Sequence, residues 1–189
     1  MAGVPKERRL PPNSEDGTTT REKGRGMRRS FLTVMVIAMT VMLAASAALA
    51  ATFTCTGGSC KGTPQRDEIT GSSSKDVISA RASVDLVRAR AGSDVVRLGG
   101  GGTPVDMEFV EGGRGADELH GGSGGDELDD IVPKDIDDTD RLFGGQNDDF
   151  LFAVDGDGND TLTGGLGADD CYGDPGDKIV GCEGENFGG

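Results

Sequence analysis

Gly112-Gly113-Arg114-Gly115-Ala116-Asp117-Glu118-Leu119-His120 is followed without a gap by Gly121-Gly122-Ser123-Gly124-Gly125-Asp126-Glu127-Leu128-Asp129. Both nonapeptides read G-G-x-G-x-D-x-U-x, where U is a large apolar residue. Two later copies, Gly144-Gly145-Gln146-Asn147-Asp148-Asp149-Phe150-Leu151-Phe152 and Gly164-Gly165-Leu166-Gly167-Ala168-Asp169-Asp170-Cys171-Tyr172, keep most of the pattern. A nine-residue unit is too short for a pair of helices. It must be one turn plus one short strand, and such units bury an apolar face only by stacking into a solenoid.

Outward from this block the Asp and apolar pair persists after the glycines have gone. Asp67/Ile69, Asp76/Ile78, Asp85/Val87 and Asp94/Val96 are spaced nine residues apart, and the pair returns at Asp140/Leu142, Asp160/Leu162 and Asp177/Ile179. The repeats of residues 62–97 mostly lack loop glycines, as in Ala80-Arg81-Ala82-Ser83-Val84-Asp85, and are expected to stack without tightly bound metal. Between residues 97 and 112 the register slips, with Asp106 followed by Met107 and Phe109, and residues 130–134 and 153–154 are further insertions. These are expected to bulge at the edges. About twelve repeats at two strands per coil give roughly six coils, and a spacing of about 4.8 Å makes a rod near 30 Å long.

Glycine at the first, second and fourth positions lets the backbone take positive φ and aim successive carbonyl oxygens into one concavity. Calcium takes 6–8 oxygen ligands, which carbonyls and one Asp carboxylate per turn supply when two turns stack. The region resembles the haemolysin-type calcium-binding repeat family of RTX proteins, whose nonapeptide it matches. The resemblance implies an all-β, right-handed parallel β-roll with calcium held between alternate repeats. The implied metal-binding positions are Gly112, Gly113, Gly115 and Asp117; Gly121, Gly122, Gly124 and Asp126; Asp140; Gly144, Gly145 and Asp149; Asp155, Asp157 and Asp160; Gly164, Gly165, Gly167 and Asp169; and Asp177. Asp126, Asp149 and Asp169 would line one edge, and Asp117, Asp140, Asp160 and Asp177 the other. The loop from Asp135 to Asp140 has carboxylates but no Gly, which leaves its calcium role open.

Composition narrows the function in the same direction. Of 189 residues, 34% are hydrophobic, 33 are Gly and none is Trp, too little apolar mass for the core of an ordinary globular enzyme. Residues 98–189 carry 24 Asp/Glu against 4 Lys/Arg, a field that repels nucleic acid and anionic lipid and favours cations. Arg81, Arg88, Arg90 and Arg97 form a basic stripe in the Gly-poor repeats, read as a solvated face.

Residues 31–51 are an uncharged apolar and small-residue run after Arg28 and Arg29, ending in Ala48-Leu49-Ala50. This reads as a secretory signal peptide cleaved after Ala50, behind a polar N-terminal extension, so residues 1–50 would be absent from an extracellular product. An uncleaved anchor is the alternative, since 21 residues can span a bilayer. Cys55, Cys60, Cys171 and Cys182 all follow the cleavage point and are even in number, which suits an oxidising compartment. Their spacing favours Cys55 with Cys60 in an N-terminal cap of residues 51–61, and Cys171 with Cys182 at the C-terminal end.

Other chemistries fit less well. Asp155-Gly156-Asp157-Gly158-Asn159-Asp160 starts like an EF-hand, but Asp160 stands where Gly is required and Leu166 where Glu is. The one histidine, His120, has an outward position and no nucleophile constellation around it. Phe143, Phe150, Phe152 and Tyr172 also lie beside inward positions, where packing against the insertions is expected. The sequence thus reads as an exported, non-catalytic calcium-binding β-roll. A cell-surface interaction module stiffened by calcium, or a remnant of a secreted enzyme, are the competing classes.

Overall fold

The computed structural model describes residues 50–101, 107–131 and 138–187. The leader expected over residues 1–50 falls almost entirely outside these residues, as do Asp106 and residues 132–137 of the insertions. Among the described residues the secondary structure is all strand. In chain order the strands are β1 (Ala51–Thr54), β2 (Gly58–Lys61), β3 (Asp67–Thr70), β4 (Asp76–Ala82), β5 (Leu86–Ala91), β6 (Val95–Gly100), β7 (Glu108–Arg114), β8 (Glu118–Ser123), β9 (Asp126–Asp129), β10 (Arg141–Gln146), β11 (Phe150–Ala153), β12 (Thr161–Leu166), β13 (Asp170–Gly173), β14 (Lys178–Val180) and β15 (Gly184–Phe187).

Odd-numbered strands make one parallel sheet in the order β1-β3-β5-β7-β9-β11-β13-β15, and even-numbered strands make the other, β14-β12-β10-β8-β6-β4-β2. Each strand therefore crosses to the opposite sheet and the chain winds as a β-solenoid. The twelve strands from β3 to β14 are the expected twelve repeats, six in each sheet. β1, β2 and β15 extend the roll at its ends.

Register explains why the fold closes. Along the seven-stranded sheet Ile78 pairs with Val96, Val96 with Leu119, Leu119 with Leu142, and Leu142 with Leu162. Along the eight-stranded sheet Ile69 pairs with Val87, Val87 with Val110, Val110 with Leu128, Leu128 with Leu151, and Leu151 with Cys171. All of these residues are fully buried, so the two inner faces meet as two columns of aliphatic side chains. Each burial contributes roughly 1.5–3 kcal/mol. Because side chains alternate along a strand, the residues flanking each apolar position point outward.

Glycine is required where the chain leaves one sheet for the other. Gly122 (φ 115°) stacks on Gly99, and a Cβ added to Gly122 would sit 2.9 Å from the Gly99 carbonyl carbon. In the Gly-poor coils Arg81 (φ 97°) and Arg90 (φ 83°) hold the matching register without that freedom, at a cost of about 1–3 kcal/mol each.

Both disulfides are local. Cys55 is bonded to Cys60 with a Cα separation of 5.8 Å, and Cys171 to Cys182 with 6.0 Å. Cys60 and Cys171 sit in the inward columns, in register with Ile78 and Leu151.

Two sequence expectations are corrected by the outer faces. The arginines do not form one stripe. Arg88 lies on β5 between Glu68 (3.2 Å) and Glu111 (3.6 Å), whereas Arg97 lies on β6 of the other sheet, 3.7 Å from Glu118. The aromatics pack on one another across coils: Phe152 stacks on Tyr172 and His120 on Phe143, both at 4.8 Å. A parallel register puts equivalent outward positions directly above each other, so a neighbouring coil is the nearest partner. No helix of the described residues is long and apolar enough to cross a membrane.

Candidate metal centre

The sixth-position carboxylates stand in two rows, one along each edge of the roll. On one edge the Asp67 N–H donates to Asp85 Oδ1 (2.7 Å), that of Asp126 to Asp149 Oδ1 (2.9 Å), and that of Asp149 to Asp169 Oδ1 (2.9 Å). On the other, Asp76 donates to Asp94, Asp94 to Asp117, Asp117 to Asp140, Asp140 to Asp160 and Asp160 to Asp177, at 2.6–3.0 Å. The insertions change the sequence separation along the second row from 18 to 23 to 20 residues without breaking it. The two edges hold the sequence-assigned aspartates as expected.

Two glutamates complete the first row, and a reading based on Asp alone missed both. Glu108 is fully buried between Asp85 and Asp126, so the register resumes at Glu108 and Val110, not at Asp106 as the slipped sequence register suggested. At the end, Glu183 Oε2 accepts the Asp169 N–H at 2.8 Å.

Asp117, Asp149, Asp160 and Asp169 each spend one oxygen on this ladder. Their second oxygens are buried with no hydrogen-bond partner, as are both oxygens of Glu108 and Asp126. Those of Asp117, Asp149 and Asp169 lie at the gap left by a first-position glycine. The missing Cβ of Gly144 would fall against Asp149 Oδ2 and 2.7 Å from the Gly164 carbonyl oxygen, and that of Gly121 would fall against Asp126 Oδ2 and 2.6 Å from the Gly144 oxygen. Gly112 and Gly164 leave the same space beside Asp117 and Asp169. Gly113, Gly145 and Gly165 at the second position, and Gly115, Gly124 and Gly167 at the fourth, take positive φ and shape these turns. The donors are all oxygens, carboxylate and carbonyl, which is the set a hard divalent cation such as calcium takes.

The first two repeats are built differently. Thr63 donates its hydroxyl and its N–H to the Asp67 carboxylate, and the Ser72 hydroxyl (2.9 Å) and N–H (2.7 Å) both reach Asp76 Oδ2. Protein donors here meet the carboxylate oxygen that has no partner in the coils that follow.

Burial sets the electrostatics. It is the main reason that the carboxyls of Glu108, Asp117 and Asp149 are pushed up to about 8 and that of Asp160 to about 7, with neighbouring carboxylates adding to the shift. Asp126 is raised to about 6, Asp140 and Asp169 are also raised, and burial again leads in each case.

Toward the C-terminal end the second edge gathers more acid. Asp138, Asp155 and Asp157; Asp140, Asp155 and Asp160; and Asp157, Asp160 and Asp177 form three overlapping groups, each with one carboxylate oxygen per residue within 4.8 Å of the others. The Asp-Gly-Asp-Gly-Asn-Asp run thus contributes Asp155 and Asp157 to the same row as the repeat aspartates. Asp138 joins them and accepts the Gly115 N–H at 3.0 Å. Asp130 is a second departure: it is buried instead of bulging outward with the insertion, and its Oδ1 accepts the Gly113 N–H at 3.1 Å.

Comparison with known proteins agrees with this architecture. The family model of the RTX calcium-binding nonapeptide repeat matches four stretches, residues 62–102, 107–129, 137–157 and 152–177. No curated protein and no solved structure matches the chain. Its matched segments cover the coils that carry both carboxylate rows, and the chain belongs to the RTX calcium-binding nonapeptide repeat family.

Proposed function

We propose that this is an exported, non-catalytic protein whose Gly-rich coils complete their folding when calcium reaches them outside the cytoplasm. One observation carries the reading: buried carboxylate oxygens without partners, repeated along both edges beside glycine gaps. A row of close, desolvated like charges opposes stacking, and a bound calcium supplies the positive charge that reverses the sign. Asp117, Asp126, Asp140, Asp149, Asp160, Asp169 and Asp177 would hold the ions with the carbonyls of the adjoining turns. Extracellular calcium modules have dissociation constants of about 10⁻⁴ to 10⁻³ M, which would leave the coils open during export and close them afterwards. The apolar run ending in Ala48-Leu49-Ala50 supports export, and the two disulfides support an oxidising destination. Circular dichroism of the whole chain in excess chelator and in about 1 mM calcium tests the proposal. A gain of β signal with calcium is expected; identical spectra, with no calcium uptake by titration calorimetry, refute it.

A further inference from the structure

We infer that Asp130, which lies outside every Gly-Gly-x-Gly-x-Asp turn, is an additional calcium ligand supplied from the inward face of the roll. The inference rests on the calcium reading above and adds one named ligand to it.

The register makes the position unusual. Glu111 pairs with Asp129 and Asp129 with Phe152, so Asp130 stands level with Gly112 in the coil before and Ala153 in the coil after. Gly71 and Ala89 occupy the same column earlier, and Gly173 later. From β3 to β13 every other occupant is Gly or Ala, since the position faces inward. A carboxylate there, 2% exposed, loses its hydration and must be compensated. Only half of it is: Oδ1 accepts the Gly113 N–H, while Oδ2 is buried with no partner.

That orphan oxygen is aimed at a specific place. The point where a Cβ of residue 112 would stand lies 2.8 Å from Asp130 Oδ2 and 2.9 Å from Asp117 Oδ2. Asp117 Oδ2 is likewise buried and unpartnered. Two carboxylate oxygens from successive coils therefore converge on one gap that exists only because residue 112 is glycine. Like charges so placed repel strongly unless a cation lies between them. Replacing the small residue of the column by Asp raises the number of charged ligands at this point of the second edge, and ligand charge count is a main determinant of calcium affinity.

Calcium titration calorimetry of the whole chain, wild type beside Asp130→Asn and Asp130→Gly, tests this. Asn keeps the shape and the acceptor for Gly113, and Gly restores the small residue that neighbouring coils carry. The expected result is one ion fewer, or weakening of one class of site by about tenfold or more, with unchanged β signal at saturating calcium. Equal ion number and affinity in all three chains would overturn the inference and leave the calcium reading standing, the two carboxyls then sharing a proton. No calcium uptake by the wild type would overturn both.

Discussion

The Ser72 hydroxyl donates to Asp76 Oδ2 at 2.9 Å, with the Ser72 N–H on the same oxygen at 2.7 Å. Four coils on, the corresponding oxygen of Asp160 has no partner at all. One roll therefore satisfies the same carboxylate in two ways, by its own donors at the N-terminal end and, on our proposal, by a cation beyond it. Ser72→Ala should then destabilise the first coils by about 1–2 kcal/mol, equally with and without calcium. Chemical denaturation of wild type and variant under both conditions measures this; a loss rescued by calcium would contradict it.

Asp149→Asn and Gly144→Ala should resemble each other although only one alters charge. The first removes a ligand, and the second puts a methyl group beside Asp149 Oδ2 and 2.7 Å from the Gly164 oxygen. Both should weaken the calcium response of circular dichroism by tenfold or more in midpoint, about 1.4 kcal/mol or more. Asp76→Asn should leave that midpoint within about twofold, or 0.4 kcal/mol. Normal calcium midpoints in both Gly-rich-coil variants would show that the gap is not a binding place.

Acid should substitute in part for calcium. Burial raises Glu108, Asp117 and Asp149 to about 8, Asp160 to about 7, and Asp85, Asp94 and Asp126 to about 6, all above their unfolded values of 3.8 or 4.5. The folded, metal-free chain then binds more protons than the unfolded one, so its stability is greatest near pH 4 and is lost as pH rises through about 6 to 8. In chelator, the β signal should grow between about pH 8.5 and pH 5. Calcium affinity should fall over the same interval as protons compete for the carboxylates. A β signal in chelator that declines on acidification would contradict the linkage.

Gly122→Ala should be among the most damaging single-methyl changes. It places an L-residue at φ 115° and drives a Cβ against the Gly99 backbone, so a loss of about 2 kcal/mol or more is expected even in saturating calcium. Thermal unfolding followed by circular dichroism reads it. An unchanged midpoint would mean that the coils can separate locally, contrary to the register described.

The fold was legible because two periods coincide: D-x-U sets the inward side of each strand, and its nine-residue recurrence sets the stacking. Leu119 and Leu142 are 23 residues apart and still pair, since the D-x-U units on either side of the extra chain keep the same inward register. The site was less legible where residue identity changed while chemistry did not. Glu108 carries the carboxylate expected of Asp, one methylene longer, and the loop before it conceals its register. Asp130 reads as the second member of an acidic pair, and only the column it stands in shows it to be inward. Missing glycines at Thr63 and Ser72 were visible, but not that their hydroxyls turn back onto Asp67 and Asp76.

Because the N–H of most row aspartates is tied to the carboxylate of the coil that follows, few coils are electrically self-contained. Fixing Asp149 in place positions the acceptor for Asp126 on one side and the donor to Asp169 on the other. On the calcium proposal the roll would behave as a one-dimensional zipper, in which each closed coil lowers the barrier for the next and the hydroxyl-capped N-terminal end serves as the part already zipped. Such a device should respond steeply: saturation would span a narrower range of calcium than independent sites give, and the front of ordering would travel from the Cys55 end toward Cys182.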